Sequence, residues 1–153
     1  MDEAGWRFLS DIGKSNLAKS FYLAGGTGLA LQIQHRKSFD LDFFQDSLSE
    51  RVPAQKITKE LGQIFGERSL KQVSRQSDQV VWEILGTKVT FIAYPFPLLE
   101  HLVDAGTLSR RLGGVRLATP KEIALMKAYA LGRRAAFRDY VDLYFVIRPI
   151  SKE

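Results

Sequence analysis

The chain contains no cysteine. That excludes a disulfide scaffold, a thiolate metal site and a cysteine nucleophile, and it suits a reducing cytosol. Histidine is almost as scarce. His35 and His101 stand alone, and with no cysteine or second histidine at ligand spacing they offer no zinc site. Long apolar runs are missing too: the longest uncharged one, Phe91 to Leu99, is nine residues and holds two prolines. A membrane span needs about 20, so none is expected. Met1-Asp2-Glu3 is acidic and no long apolar core follows it, so no secretory leader is expected either. Internal repeats and low-complexity tracts are absent. Charge of one sign does not dominate: 22 basic residues against 17 acidic ones give +5, which permits a polyanionic partner such as RNA or a nucleotide without demanding one. What is present is 153 residues of ordinary globular composition, expected to form one domain over 1–153, in the cytoplasm.

The periodicity predicts a mixed order of elements. Ala4 to Ala18 places Trp6, Leu9, Ile12 and Leu17 on one helical face. Phe21 to Ala24 reads as a short buried strand, interrupted by Gly25-Gly26-Thr27, with a short helix over Leu29 to Ile33. Asp40 to Phe44 alternates acid and apolar, as a strand does. A helix over Ala54 to Phe65 follows Pro53, and three strands follow it: Leu70 to Arg75, Gln79 to Leu85 and Lys88 to Tyr94, with Gly86-Thr87 as a hairpin turn. Leu98 to Val103 reads as a short helix and Val115 to Ala118 as a short strand. Thr119 then caps a helix running to Leu131, with Glu122 in its first turn, and a last helix covers Phe137 to Ile147. This order predicts an α/β or α+β domain with one mixed sheet flanked by helices.

The stretch from Phe21 to Phe44 carries the chemistry. A strand ends at two glycines, and a helix starts at Thr27. Glycine lets backbone approach a bulky anion, and a helix N-terminus offers free N–H groups and a positive dipole end. Gly25, Gly26 and Thr27 therefore form a candidate phosphate cradle, although a plain strand-to-helix turn uses the same residues. Asp40 and Asp42, at i and i+2 on a strand, project to one face. Paired carboxylates repel unless a cation lies between them, and Mg²⁺ takes one or two carboxylates plus substrate phosphates. Two exposed acids on an edge strand are the competing reading.

At these residues the chain resembles a known family. Gly25-Gly26-Thr27-Gly28-Leu29-Ala30-Leu31 and His35-Arg36-Lys37-Ser38-Phe39-Asp40-Leu41-Asp42-Phe43-Phe44 are similar to the first motif of AbiEii nucleotidyltransferase toxins. These belong to type IV toxin–antitoxin and phage-abortive systems, have the MenT toxins as relatives, and fall in the DNA polymerase β-like nucleotidyltransferase superfamily. A second match comprises Thr119-Pro120-Lys121-Glu122-Ile123-Ala124-Leu125-Met126-Lys127 and Arg138-Asp139-Tyr140-Val141-Asp142-Leu143-Tyr144. The resemblance implies a polymerase β-like fold and transfer of a nucleotide from an NTP to an acceptor hydroxyl. The acceptor it implies is RNA, such as a tRNA 3′ end, with growth arrest as the outcome and an antitoxin protein as partner. It also implies that Gly26 and Thr27 hold the triphosphate and that Asp40 and Asp42 bind Mg²⁺ (or Mn²⁺). Lys127 would neutralise a phosphate oxygen, and Asp142, or alternatively Asp139, would complete the last motif.

The ordinary readings run alongside. Arg138 and Asp142 at i, i+4 suit a helix ion pair, but Val141, Leu143, Tyr144 and Phe145 make an apolar setting for a decorative acid. Arg36 and Lys37 suit phosphate, RNA or a solvated turn. Arg110-Arg111 and Arg133-Arg134 suit an RNA path or surface charge. One departure from the superfamily stands out. The strand Lys88 to Tyr94 lacks the third carboxylate that polymerase β-like enzymes often carry; Thr90 occupies the region, and Glu83 on the preceding strand is the nearest acid. That keeps two other functions open: an NTP-binding regulatory module without turnover, and an RNA-binding domain.

Overall fold

The computed structural model describes residues 1–132 and 136–151. Arg133 and Arg134, candidates for an RNA path, lie outside the described residues.

A seven-stranded sheet forms the frame, in the order β3-β4-β5-β2-β1-β7-β6. Its strands are β1 (Phe21–Ala24), β2 (Leu41–Gln45), β3 (Leu70–Arg75), β4 (Gln79–Ile84), β5 (Thr87–Ile92), β6 (Val103–Asp104) and β7 (Arg116–Leu117). The helices are α1 (Glu3–Gly13), α2 (Leu17–Ser20), α3 (Gly25–Ile33), α4 (Ala54–Phe65), α5 (Pro120–Leu131) and α6 (Phe137–Ser151). The sheet is mixed, as expected: β2 runs antiparallel to β1 and parallel to β5, and β1 runs parallel to β7.

Period-2 alternation sorts the side chains onto two faces. Leu41 and Phe43 of β2, Val89 and Phe91 of β5, and Val80, Trp82 and Ile84 of β4 enter the larger core, joined by Phe8, Leu9 and Ile12 of α1 and Ile57 and Leu61 of α4. Phe43 stacks on Phe91 with ring centroids 5.4 Å apart. The smaller core on the other face joins Tyr22 and Ala24 to Leu29 of α3, Ile123 and Met126 of α5 and Val146 of α6. β1 is buried along its whole length because both cores need it. Asp40, Asp42 and Phe44 alternate with Leu41 and Phe43, so burial of the odd-numbered residues turns the acids toward the second face.

Several elements differ from the sequence expectation. The helix expected over Ala4 to Ala18 is two helices. The chain turns at Gly13, where a Cβ would stand 2.4 Å from the Gly113 carbonyl oxygen, so this close backbone crossing tolerates only glycine. The β4–β5 turn is Leu85-Gly86, one residue earlier than expected. Both have positive φ (51° and 82°), as a two-residue hairpin loop requires, and Thr87 already pairs with Ile84. The expected helix over Leu98 to Val103 does not form. There the N–H groups of Leu99 and Glu100 donate to the Glu122 carboxylate rather than to a helical ladder. The Thr119 cap forms as expected, its hydroxyl oxygen accepting from Glu122 N–H at 3.1 Å. α3 begins at Gly25, ahead of the expected start.

Candidate functional site

The centre of the sheet, the N-terminus of α3 and the inner faces of α5 and α6 enclose a cleft of about 1000 Å³. Gly25, Gly26, Asp40, Asp42, Thr90 and Lys127 all line it. Asp42 sits on β2, the middle strand, and Asp40 directly precedes it. Burial pushes the Asp42 carboxyl above the ordinary carboxylate range and the Asp40 charge adds to this, while Lys127, Arg138 and Lys88 pull partly back. Among the described residues, neither acid is held in an ion pair.

The glycine pair has a different immediate task from the one its composition suggested. Gly25 has φ of 63°, and a Cβ there would lie 2.6 Å from Asp42 Oδ2. A Cβ on Gly26 would lie 2.1 Å from an Arg36 guanidinium nitrogen. The glycines thus let a carboxylate and a guanidinium close on the start of α3, and the backbone N–H groups of that turn stay at the cleft wall without a side-chain cap. Thr27 is buried and does not line the cleft. Its hydroxyl donates to the Asp40 carbonyl at 2.5 Å and stands 2.8 Å from the Ser38 hydroxyl. It fastens the loop before β2 to α3, so its Oγ is already engaged rather than open to a phosphate.

Beside the open acids lies a closed network. Asp142, with no solvent exposure, accepts two bonds from Arg36, at 2.7 Å and 2.9 Å. It also meets His35 Nε2 at 2.5 Å and Lys127 Nζ at 2.9 Å. An ionised carboxylate only accepts, so Nε2 carries the His35 proton. Lys127 turns a second of its three donors to Asp139 at 2.7 Å. Burial alone would raise the Asp142 carboxyl, but the bonds from Arg36, His35 and Lys127 outweigh it and hold the group well below the usual carboxylate range. Arg36 is held correspondingly more firmly protonated. Two cations, Arg36 and Lys127, face two anions, Asp139 and Asp142, so Lys127 is already matched.

From the sequence His35 is only a rejected zinc ligand, and Arg36 suits a ligand or a solvated turn equally. Both are the principal partners of Asp142. The signal was present: an acid among Val141, Leu143 and Phe145 requires cations from elsewhere in the chain. The Arg138–Asp142 helix pair does not form; Arg138 lines the cleft instead. Thr90 pairs in register with Asp42 on the neighbouring strand, in the region of the missing third acid. Glu83 is exposed and opposite Lys88, one strand further out. His101 is exposed and lies outside the cleft lining. Arg111 pairs with Glu3 at 2.6 Å on the surface and stacks over Trp6, away from the cleft. Among the described residues no group of three or more His, Asp or Glu side chains could hold a metal. No described helix is long and apolar enough to cross a membrane.

Comparison with known proteins agrees with this architecture. The chain is 33% identical over 146 residues to the uncharacterized protein aq_aa25 of Aquifex aeolicus (strain VF5), covering 92% of this chain. It spans 64% of that relative's length. Among solved structures, ANT(2")-Ia in complex with adenylyl-2"-tobramycin superposes with a TM-score of 0.59 at 12% identity, over 94% of this chain and 86% of that one. The "putative nucleotidyltransferase from H. pylori" gives 0.58 at 18% identity, over 97% and 70%. At such identities these two show a shared nucleotidyltransferase fold. Residues 7–153 match the family described as nucleotidyl transferase AbiEii toxin, type IV TA system. With a match of that length and the fold it requires, the chain belongs to the AbiEii nucleotidyl transferase toxin family.

Proposed function

We propose that this chain transfers a nucleotide from an NTP to an acceptor hydroxyl, with RNA (a tRNA 3′ end) as acceptor, and that it acts in the cytoplasm as a toxin restrained by an antitoxin protein. The observation that carries the reading is the Asp40–Asp42 pair: two carboxylates on the cleft floor, uncompensated by an ion pair among the described residues, beside an uncapped helix N-terminus. An oxygen-only donor set of this kind suits Mg²⁺ or Mn²⁺, and the raised Asp42 carboxyl is the mark of a group that a cation would stabilise. When bound, the metal would supply Lewis-acid polarisation of the α-phosphate and alignment of the leaving group.

The chain's own residues supply the rest. The N–H groups of Gly25 and Gly26 meet phosphate oxygens at the start of α3. Arg138 and Lys88, which line the cleft and whose charges reach Asp42, take up phosphate charge. Lys127, held by Asp139 and Asp142, contributes a fixed field rather than a mobile phosphate ligand. The acceptor hydroxyl attacks the α-phosphorus and gives up its proton to water, the bond to the β-phosphate oxygen breaks, and pyrophosphate leaves. Such a reaction needs positioning and charge neutralisation more than covalent participation by the protein.

Incubation with Mg²⁺, each labelled NTP in turn and total RNA tests this. Label entering a discrete RNA band with the wild-type chain, and not with Asp40→Ala or Asp42→Ala, is the expected result. Thr90 in the region of a third acid favours a second reading, an NTP-binding module without turnover. That reading predicts retained NTP binding and no product with any NTP.

A further inference from the structure

One wall of the cleft is a ladder of aromatic rings that the transfer chemistry leaves unused. Phe44 meets Tyr94 edge to face at 5.5 Å, Tyr94 meets Phe96 at 5.2 Å, and Phe96 meets Tyr129 at 5.0 Å. The rings come from three places: β2, the segment after β5, and α5. All four line the same cleft as Asp40 and Asp42. Phe96 and Tyr129 are each 42% exposed, although ring contacts already cover part of each. Exposed apolar area on a concave wall is a feature that marks a ligand surface rather than a core.

The ladder is also stiff. Phe96 stands between Pro95 and Pro97. Each proline has a fixed φ, and each restricts the residue before it, here Tyr94 and Phe96, to extended backbone. Rings held this way lose little freedom when something stacks on them. Their position relative to the acids is set by strand geometry. Phe44 follows Asp42 by two residues on the same face of β2, a rise of about 7 Å. A nucleotide whose phosphates sit at the Asp pair and the glycine turn therefore has its base within reach of the ladder that starts at Phe44.

We infer that the Tyr94–Phe96–Tyr129 ladder is a stacking shelf for a nucleobase. This rests on the nucleotidyl-transfer reading of the cleft and adds the part of the substrate that the acids do not touch. The ladder's polar groups are two phenol hydroxyls, so it recognises a π-face rather than a hydrogen-bonding edge. The base belongs either to the incoming NTP or to the end of the acceptor, and the two sources separate by experiment.

The test compares ATP, inorganic tripolyphosphate and a short single-stranded RNA, each titrated with Mg²⁺ into the wild-type chain and into Phe96→Ala and Tyr129→Ala. Thermal melts confirm that the variants fold. Phe96→Leu, which keeps apolar bulk without an aromatic face, guards against a merely structural effect. A loss of ATP affinity of about fivefold to a hundredfold in the alanine variants, with tripolyphosphate unchanged, shows the shelf taking the base of the NTP. Unchanged ATP and tripolyphosphate with a similar loss for RNA shows it taking the base of the acceptor. Wild-type affinity for both ATP and RNA in folded variants overturns the inference. If wild type binds tripolyphosphate and ATP equally and RNA not at all, the shelf fails while the phosphate site stands. If wild type binds none of the three, the transfer reading fails and the shelf with it.

Discussion

Asp40 and Asp42 stand at the middle of the sheet, and Asp139 and Asp142 on the helix beside it, yet the surroundings treat the two pairs in opposite ways. Asp142 is enclosed by Arg36, His35 and Lys127 and is held far down. Asp42 is half-buried on the cleft floor; burial pushes its carboxyl up, and the charge that acts on it most is that of another acid, Asp40. The helix pair makes a nearly neutral knot that ties α6 to α5 and to the loop before β2. The sheet pair is left with negative charge unmatched. A buried acid that a protein compensates fully serves its architecture; one left uncompensated in a cleft is available to a ligand.

The largest expected effect comes from untying the knot. Asp142→Ala removes the buried carboxylate that Arg36 and His35 share and leaves Lys127 with Asp139 alone, and should cost about 3 kcal/mol in urea denaturation. Asp142→Asn, which keeps an acceptor, should cost less. The contribution of Asp142 also has a defined sign with pH. Its folded carboxyl lies below the unfolded value of about 3.9, so the stabilisation is complete at neutral pH and is lost as pH falls through the folded value. In wild type that component of acid unfolding therefore belongs below about pH 4, and Asp142→Asn should remove it.

Next in size is Gly25→Ala. A Cβ at a positive φ costs about 1–2 kcal/mol, and here it also drives into Asp42 Oδ2. Nucleotidyl transfer should fall by at least about tenfold, while the knot and the urea midpoint change far less than in Asp142→Ala. Equal loss of stability in the two variants would erase the distinction between the pairs.

A subtler effect separates the two sheet acids. If Mg²⁺ binds at this pair as proposed, the raised Asp42 carboxyl makes protons compete with it at a higher pH than at an ordinary carboxylate. Asp40→Asn removes one cause of that rise, so the acid limb of residual Mg²⁺ binding, followed by calorimetry, should move to lower pH. Asp42→Asn should abolish binding yet raise the melting temperature. The sign follows from linkage: a carboxyl raised on folding destabilises the fold once pH exceeds the folded value, and the amide relieves this. The smallest effect is expected at the exposed Glu3–Arg111 pair, where Glu3→Ala should leave the melting temperature within experimental error.

Much of this molecule is legible without a structure, and the legible parts share a cause. The helices over Ala54 to Phe65 and from Pro120 to Leu131, the strand Phe21 to Ala24 and the alternation around Asp42 follow from local periodicity, capping and turn chemistry, which neighbouring residues decide. The family motif was readable for the same reason: glycines at a strand end and two acids on a later strand are local patterns. What the sequence did not reveal depends on distant partners. Gly13 ends α1 because the carbonyl of Gly113 crosses it. Leu98 to Val103 is not a helix because Glu122 takes its N–H groups. Thr27 serves Asp40 and Ser38, and Gly25 and Gly26 make room for Asp42 and Arg36. Asp142, read from sequence alone, was an acid in an apolar stretch of helix. That it is the clasp for Arg36 and His35, residues 106 and 107 positions away, was decided only by tertiary packing, because the cost of burying a charge is settled by whichever cations the fold brings to it.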